Sequence, residues 1–341
     1  MSRAATQWSV IIQRDLSIRL KGGAGKGARA GTNALTLLSS PINVYVLEAL
    51  AARPRSLVDL RRAAGSPAHT TLRGYLRTLT ELGILERNRQ DGFAGAVEYA
   101  LVDPGRELLN VTATLRNWLA LAPDGALSLG SGAAKSAIGA LVEGWGTSIL
   151  RVLAAEPRSL TELDALIAGL SYPSLERRLA AMRLAGQAKR QSGNASGSPY
   201  AVTDWSRRSI APLAAAARWE RQHLREQTPP ITPNDAEAAF LLSVPLLSLP
   251  AELNGSCRLA VEFPPHRLAG VVADVEAGRV VSCVSRLEAD AGGWASGSAG
   301  DWLRAVMDQD SRQLEIGGDC HLVEAVVDGL RQALFRSRPR S

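Results

Sequence analysis

Apolar residues recur at helical spacing from Ala34 to Ser39 and from Ile42 to Ala52, with Pro41 placed to open the second run. Ser56 then stands where it would cap a short helix through Leu60 and Ala63, and Asp59 three residues on completes a pattern like a capping box. Gly65-Ser66-Pro67 predicts a turn. The next run, Ala68 to Leu82, puts Leu72, Leu76, Leu79 and Leu82 on one helical face and leaves small polar and basic residues for the rest. Gly83 ends it. Ile84 to Arg89 reads as a strand, Asp91-Gly92 as a turn, Val97 to Val102 as the returning strand, and Pro104 opens a helix reaching about Leu121. Helix, turn, helix and hairpin together predict a winged helix.

The same pattern returns 103 residues later. Ala34 to Leu60 matches Ala137 to Leu163 at 11 of 27 positions without a gap, including Leu50–Leu57 against Leu153–Leu160. Leu72/Leu175, Leu76/Leu179, Gly83/Gly186 and Arg87/Arg190 keep the offset, which becomes 101 for Tyr99/Tyr200, Asp103/Asp204 and Trp118/Trp219. A duplicated unit is expected, with Ser159 to Ile167 as the supporting helix, Tyr172 to Ala185 as the second reader, and Gln191 to Pro199 as a long wing tip.

Charge follows this division. Residues 232–341 carry 15 acidic and 10 basic side chains, so the net charge of +6 conceals about +11 in the part before them. That segregation suits a polyanion-binding front, although solvated arginine-rich helices would give the same total. A reader helix meets base edges through residues near its N-terminus, which makes His69, Thr70, Thr71, Arg73 and Arg77 the first candidate DNA contacts. For His69 a solvent-exposed turn residue is an equal reading. Arg87 and Arg89, alternating on the wing strand, suit phosphate or minor-groove contact. In the second unit the matching candidates are Ser174, Arg177, Arg178, Lys189 and Arg190, while Glu176 would repel phosphate or accept from a cytosine amine. Unequal surfaces on the two copies imply two unequal half-sites, or one reading and one clamping or dimerising domain.

Asn33 to Asn88 resembles the HxlR-type winged-helix regulators, whose pattern matches here the reader end Leu79–Ile84, the strand Glu98-Tyr99-Ala100-Leu101 and the helix start Pro104-Gly105-Arg106. The resemblance covers about 90 residues in the first unit and, more weakly, another 90 in the second. It implies double-stranded DNA as partner and dimerisation through terminal helices. The tandem copy allows that contact inside one chain, so a monomeric pseudo-dimer and a homodimer both stay open. The near-N-terminal cysteine usual in the family is missing, which puts redox or aldehyde sensing through it in doubt.

A proline-containing linker, Thr228 to Asn234, leads to a different pattern. Ala236 to Leu249 predicts a helix breaking at Pro245; Cys257–Phe263, Leu268–Ala273, Gly278–Ser285 and Gln313–Ile316 predict antiparallel strands; Ala299–Met307 and Cys320–Phe335 predict helices. The helix start Asp301-Trp302-Leu303, the segment Leu314 to Asp319 and the final helix are similar to a sterol-carrier-protein-2-like domain. That resemblance implies an apolar ligand between sheet and helices, with Trp294, Trp302 and Met307 lining its pocket. A packed domain that joins subunits, with these three as core, is the other reading.

Catalysis is not indicated. Lys21 to Gly27 fails as a phosphate loop, because Leu20 stands where its first glycine belongs and Gly27 replaces the Ser or Thr. The run is expected to be a basic flexible arm. His69, His223, His266 and His321 lie in separate segments without ligand spacing, and Cys257, Cys283 and Cys320 read as small buried residues of a reducing cytoplasm. Neither metal nor cofactor is expected. Apolar stretches fall short of the roughly 20 residues that span a membrane, and no secretory signal is visible.

The expected architecture is therefore α+β: a basic N-terminal arm (1–31), two tandem winged helix-turn-helix domains (32–125 and 132–227), and a small α+β sensor or assembly domain (235–338). The expected function is sequence-specific DNA-binding transcriptional regulation in the cytoplasm, by a chain that is not an enzyme. A winged-helix protein-interaction adaptor and a lipid-binding protein are the alternatives.

Overall fold

The computed structural model describes residues 29–89, 97–144, 148–167, 169–191 and 198–335. The Lys21–Gly27 run, the Asp91-Gly92 turn and most of the Gln191–Pro199 wing tip lie outside them. The chain packs as two units. One holds the described residues through Ala120 with Leu127–Gly139 and Ala215–Pro229; the other holds Leu121–Ala126, Ala140–Ala214 and the residues from Pro230 onward.

In the first unit, helices α1 (Thr32–Leu38) and α2 (Pro41–Leu50) precede a two-residue strand β1 (Arg55–Ser56) that the apolar pattern did not signal. Helix α3 (Leu57–Ala63) begins as expected, with Ser56 Oγ accepting from the Asp59 backbone N–H. Gly65 and Ser66 take positive φ, 78° and 57°, and turn the chain into α4 (His69–Glu81). Leu72, Tyr75, Leu76 and Leu79 of α4 are buried together with Leu60 of α3. At its end Gly83 adopts φ 67° while the Ile84 N–H reaches back to the Leu79 carbonyl at 2.9 Å, closing the last turn. Strands β2 (Leu85–Arg89) and β3 (Val97–Leu101) pair antiparallel, and β1 adds to the far edge of β3 with Arg55 opposite Tyr99. Helix α5 (Asp103–Leu119) runs close beneath the hairpin. A Cβ on its Gly105 would stand 2.4 Å from the Ile84 carbonyl oxygen, so only glycine fits there.

The helices after it are α6 (Gly132–Gly144), α7 (Ser148–Ala155), α8 (Leu160–Leu166) and α9 (Tyr172–Leu184); then come the hairpin β4 (Ala188–Arg190) and β5 (Tyr200–Val202), and helices α10 (Asp204–Arg207) and α11 (Ile210–His223). Ser159 caps α8 at φ −72°, ψ 162°, the same backbone that Ser56 shows, and here Glu162 completes a capping box. Gly186 has φ 72°, the Gln187 N–H reaches the Met182 carbonyl at 2.8 Å, and Arg158 bridges Tyr200 as Arg55 pairs with Tyr99.

Thr232 and Asp235 form the capping box of α12 (Pro233–Ser243), after which Val244–Leu246 tightens to a 3-10 turn around Pro245. The sheet that follows has the order β10-β9-β6-β7-β8, built from β6 (Gly255–Phe263), β7 (Arg267–Glu276), β8 (Arg279–Val284), β9 (Gly293–Ser298) and β10 (Glu315–Gly318). It is mixed rather than antiparallel, because β9 lies parallel to β6. Strand β9 is composed of glycine, serine, alanine and one tryptophan, and has none of the β-branched residues that mark strands in a sequence. Its small residues answer a packing demand: a Cβ on Gly293 would meet Val323 at 2.7 Å, and one on Gly297 would meet Leu314 at 2.8 Å. Val323 belongs to helix α14 (Cys320–Phe335), and Leu314 to the turn between helix α13 (Ala299–Asp308) and β10.

Half-buried polar ties join the earlier helices of the second unit to α12 and α14. Arg207 donates to the Leu241 carbonyl at 2.8 Å and to the Ala154 carbonyl at 3.3 Å, and burial lowers its proton affinity. Arg151 pairs with Glu237 at 2.7 Å, and Arg208 donates to the Ala333 carbonyl at 3.1 Å.

Candidate nucleic-acid interface

Burial of Leu72, Leu76 and Leu79 fixes which side of α4 faces out. His69, Thr70, Arg73 and Arg77 are exposed, and Thr71 is half-buried at the edge of that face. Arg73 and Arg77 follow one another at i, i+4, and Glu81 extends the row with its Oε1 at 3.8 Å from Arg77 Nε. Beside the helix, the hairpin is held by buried Ile84, Leu85 and Leu101, so Arg87 and Arg89 project from a strand whose inner end is anchored. A helix with a threonine and two arginines along its outer row, flanked by two wing arginines, has the donors needed for base edges and phosphates.

Residues 37–124, from the last two residues of α1 to just past α5, match the HxlR-like helix-turn-helix family. This stretch is an HxlR-like helix-turn-helix domain. The match supports a DNA-binding, transcription-regulating role in general terms. No curated protein matches the chain.

The HxlR-like domain is not the whole of the first unit. Residues 215–229 lie in it as well, and they contribute a group that sequence reasoning missed. Glu220, with no exposed surface, accepts from the Gly31 N–H at 2.8 Å and from the Ala34 N–H at 2.7 Å. It caps α1, whose own N-cap Gly31 has no side chain to do so. Burial raises its carboxyl from 4.5 to about 7 against the opposing pull of those amides. Trp219 Nε1 donates to the Pro104 carbonyl at 2.8 Å, and His223 Nε2 lies 2.9 Å from Glu107 Oε2. A signal existed: the 101-residue offset sets Glu220 against Leu119, an acid against a buried leucine.

In the second unit α9 buries Leu175, Leu179 and Met182 and exposes Glu176 and Arg177. Ser174 and Arg178 are half-buried; Ser174 Oγ lies 2.9 Å from Ser171 Oγ and accepts from Arg177 at 3.4 Å. Lys189 and Arg190 are exposed on β4. The structure thus gathers Ser174 with Arg177 at the helix start, and Lys189 with Arg190 on the strand beyond its end.

The C-terminal candidates do not converge. Trp302 is buried on α13, its Nε1 donating to the Ala260 carbonyl at 2.8 Å and its ring meeting Phe240 edge-on at 4.9 Å. Met307 is half-buried on the same helix. Trp294 alternates with Gly293 and Ala295 along β9, and Gly293 faces α14, so the Trp294 ring lies on the other face of the sheet over Gly317. The cysteines also differ from the buried set expected. Cys257 is buried and Cys283 partly so, with burial pushing both thiols up to about 12, but Cys320 is exposed because it opens α14. Among the described residues no cluster of metal-ligating side chains occurs, and no helix is long and apolar enough to cross a membrane.

Proposed function

We propose that the chain is a sequence-specific double-stranded DNA-binding transcriptional regulator whose primary reader is α4. The observation that carries this is the outward row of Thr70, Arg73 and Arg77 within an HxlR-like domain, flanked by Arg87 and Arg89. Thr70 and Arg73 are assigned to base edges, with His69 and Thr71 at the rim, and Arg77, Arg87 and Arg89 to the backbone. Residues 132–227 are read as a second winged helix from a duplication, supported by the matched Ser56/Ser159 caps and the Arg55–Tyr99 and Arg158–Tyr200 bridges. Its α9 brings Ser174, Arg177 and Arg178 to a second DNA contact.

The regulator acts as a monomeric pseudo-dimer in this proposal. Residues 215–229 give the first unit the kind of terminal-helix contact that the HxlR resemblance assigns to a dimer partner, seen in the Glu220 cap and the Trp219 and His223 contacts. Residues 235–338 serve assembly or effector sensing, and the bonded, ring-packed Trp302 favours assembly. No catalytic step belongs to this function.

The test is selection of bound fragments from a random duplex library by the full chain, followed by titration of the enriched sequence at two salt concentrations. An enriched motif that binds far tighter than shuffled DNA, and loses its preference in Arg73→Ala, is the expected result. Failure to enrich any motif would overturn operator reading.

A further inference from the structure

Beyond the reader face, α9 and β4 enclose an open cavity of about 510 Å3 lined by Ala180, Arg183, Leu184, Ala188, Lys189 and Arg190. Its floor is apolar and its rim carries three cations without a carboxylate. Arg183 is steadied by the Tyr200 ring, 5.8 Å from its guanidinium carbon. Leu184 stands at the mouth with 90% of its surface exposed, the most of any large apolar side chain among the described residues.

Comparison with the positions 103 residues earlier shows what has changed. The outer row Arg73, Arg77, Glu81 of α4 becomes Glu176, Ala180, Leu184 on α9. Along the strand, Glu86 becomes Lys189 while Arg87 is matched by Arg190. The row that offers two arginines to DNA in the HxlR-like domain here offers an acid followed by two apolar side chains. Leu184 has nothing to gain from a phosphate backbone running along this row, and Glu176 does not line the groove. The two carboxylates that would repel an acidic partner, Glu81 and Glu86, are replaced by Leu184 and Lys189.

We propose that this groove docks an acidic protein segment bearing an aliphatic or aromatic anchor, the anchor covering Leu184 over the alanine floor and the acids meeting Arg183, Lys189 and Arg190. Apolar burial supplies the fixed part of the affinity and the rim cations supply steering and register. Lys189 and Arg190, expected from sequence to touch DNA, are reassigned to a protein. The inference stands apart from operator reading by α4, and on α9 it uses Arg183 and Leu184 rather than the Ser174, Arg177 and Arg178 assigned to the second DNA contact.

The test is selection of short random peptides displayed on phage by the full chain, with the Leu184→Glu/Lys189→Glu double variant as counter-target. Both changes install at exposed positions the residues found 103 positions earlier, and circular dichroism checks the fold. The expected result is enrichment of peptides with acidic residues around a Leu or Phe. The synthetic consensus peptide should bind about tenfold or more weaker to the double variant and several-fold weaker to Leu184→Ala, whose charges are unaltered. No enrichment, enrichment that survives in the double variant, or a consensus without an apolar anchor overturns the proposal. So does displacement of the peptide by non-specific duplex with no effect of Leu184→Ala, which would make the groove a phosphate site. Selection of operator DNA fails or succeeds independently of these readouts.

Discussion

Replacing Glu220 by glutamine isolates the buried carboxylate that caps α1. In the folded chain its carboxyl is raised from 4.5 to about 7, chiefly by burial. A carboxylic acid that holds its proton more tightly when folded adds stability that is fully present below the unfolded value and is lost as the pH rises through the folded one. The window therefore runs from 4.5 to about 7, and stability falls across it. At about 1.4 kcal/mol for each tenfold change in proton affinity, the whole effect is roughly 3 kcal/mol, of which roughly 2.5 is lost between about pH 5 and pH 8. Glutamine has nearly the same shape and does not titrate, but its amide donor must face one of the two N–H groups that both carboxylate oxygens now accept. That conflict costs about 1 to 3 kcal/mol at every pH. Urea unfolding of both proteins across this range should show the wild-type advantage shrinking by roughly 2.5 kcal/mol from the acidic to the basic end, and the variant overtaking if the amide conflict costs less. Groups common to both proteins, His223 and Glu107 among them, cancel in the difference. Parallel stability profiles would refute the reasoning, because they would mean that Glu220 titrates alike in the folded and unfolded chain.

Arg73→Ala and Arg77→Ala should each weaken binding of the selected duplex by about tenfold, and Arg77→Ala should lower the salt slope by about one, read from titrations at several salt concentrations. Gly105→Ala should destabilise by about 1 to 3 kcal/mol in urea, since its methyl would press on the Ile84 carbonyl. Arg207→Met removes a half-buried guanidinium that donates to the Leu241 and Ala154 carbonyls, and should cost about 1 to 3 kcal/mol by the same measurement. Ser159→Ala breaks the capping box of α8 and should cost about 1 kcal/mol.

Elements whose determinants are local were legible in the sequence. Leu72, Leu76 and Leu79 set the buried face of α4, Ser56 and Ser159 set the starts of α3 and α8, and Gly83 set the end of α4, because each acts through neighbours within a turn of the chain. The outer row Thr70, Arg73 and Arg77 followed from the same periodicity. What escaped depends on distant partners. Strand β9 is chosen by the space that Val323 and Leu314 leave beside Gly293 and Gly297, and no local pattern reports that. Trp294 and Trp302 look alike in a sequence, yet strand alternation and the Ala260 bond send them to different faces of the sheet. The capping role of Glu220 is not reported by any local pattern, because its partners are 186 and 189 residues away; only the repeat offset marks the position.

That separation bears on how the protein is made. Glu220 leaves the ribosome 101 residues after the last buried leucine of α5, Leu119, a delay of roughly 5 to 20 s at ordinary elongation rates. Throughout that interval the amides of Gly31 and Ala34 have been synthesised but their acceptor has not. A nascent chain thus carries every residue of the family-matching stretch while the start of α1 still lacks its cap. A fragment of residues 29–124, which holds all of α1 but not Glu220, would stay permanently in that condition and should yield a domain frayed at its first helix.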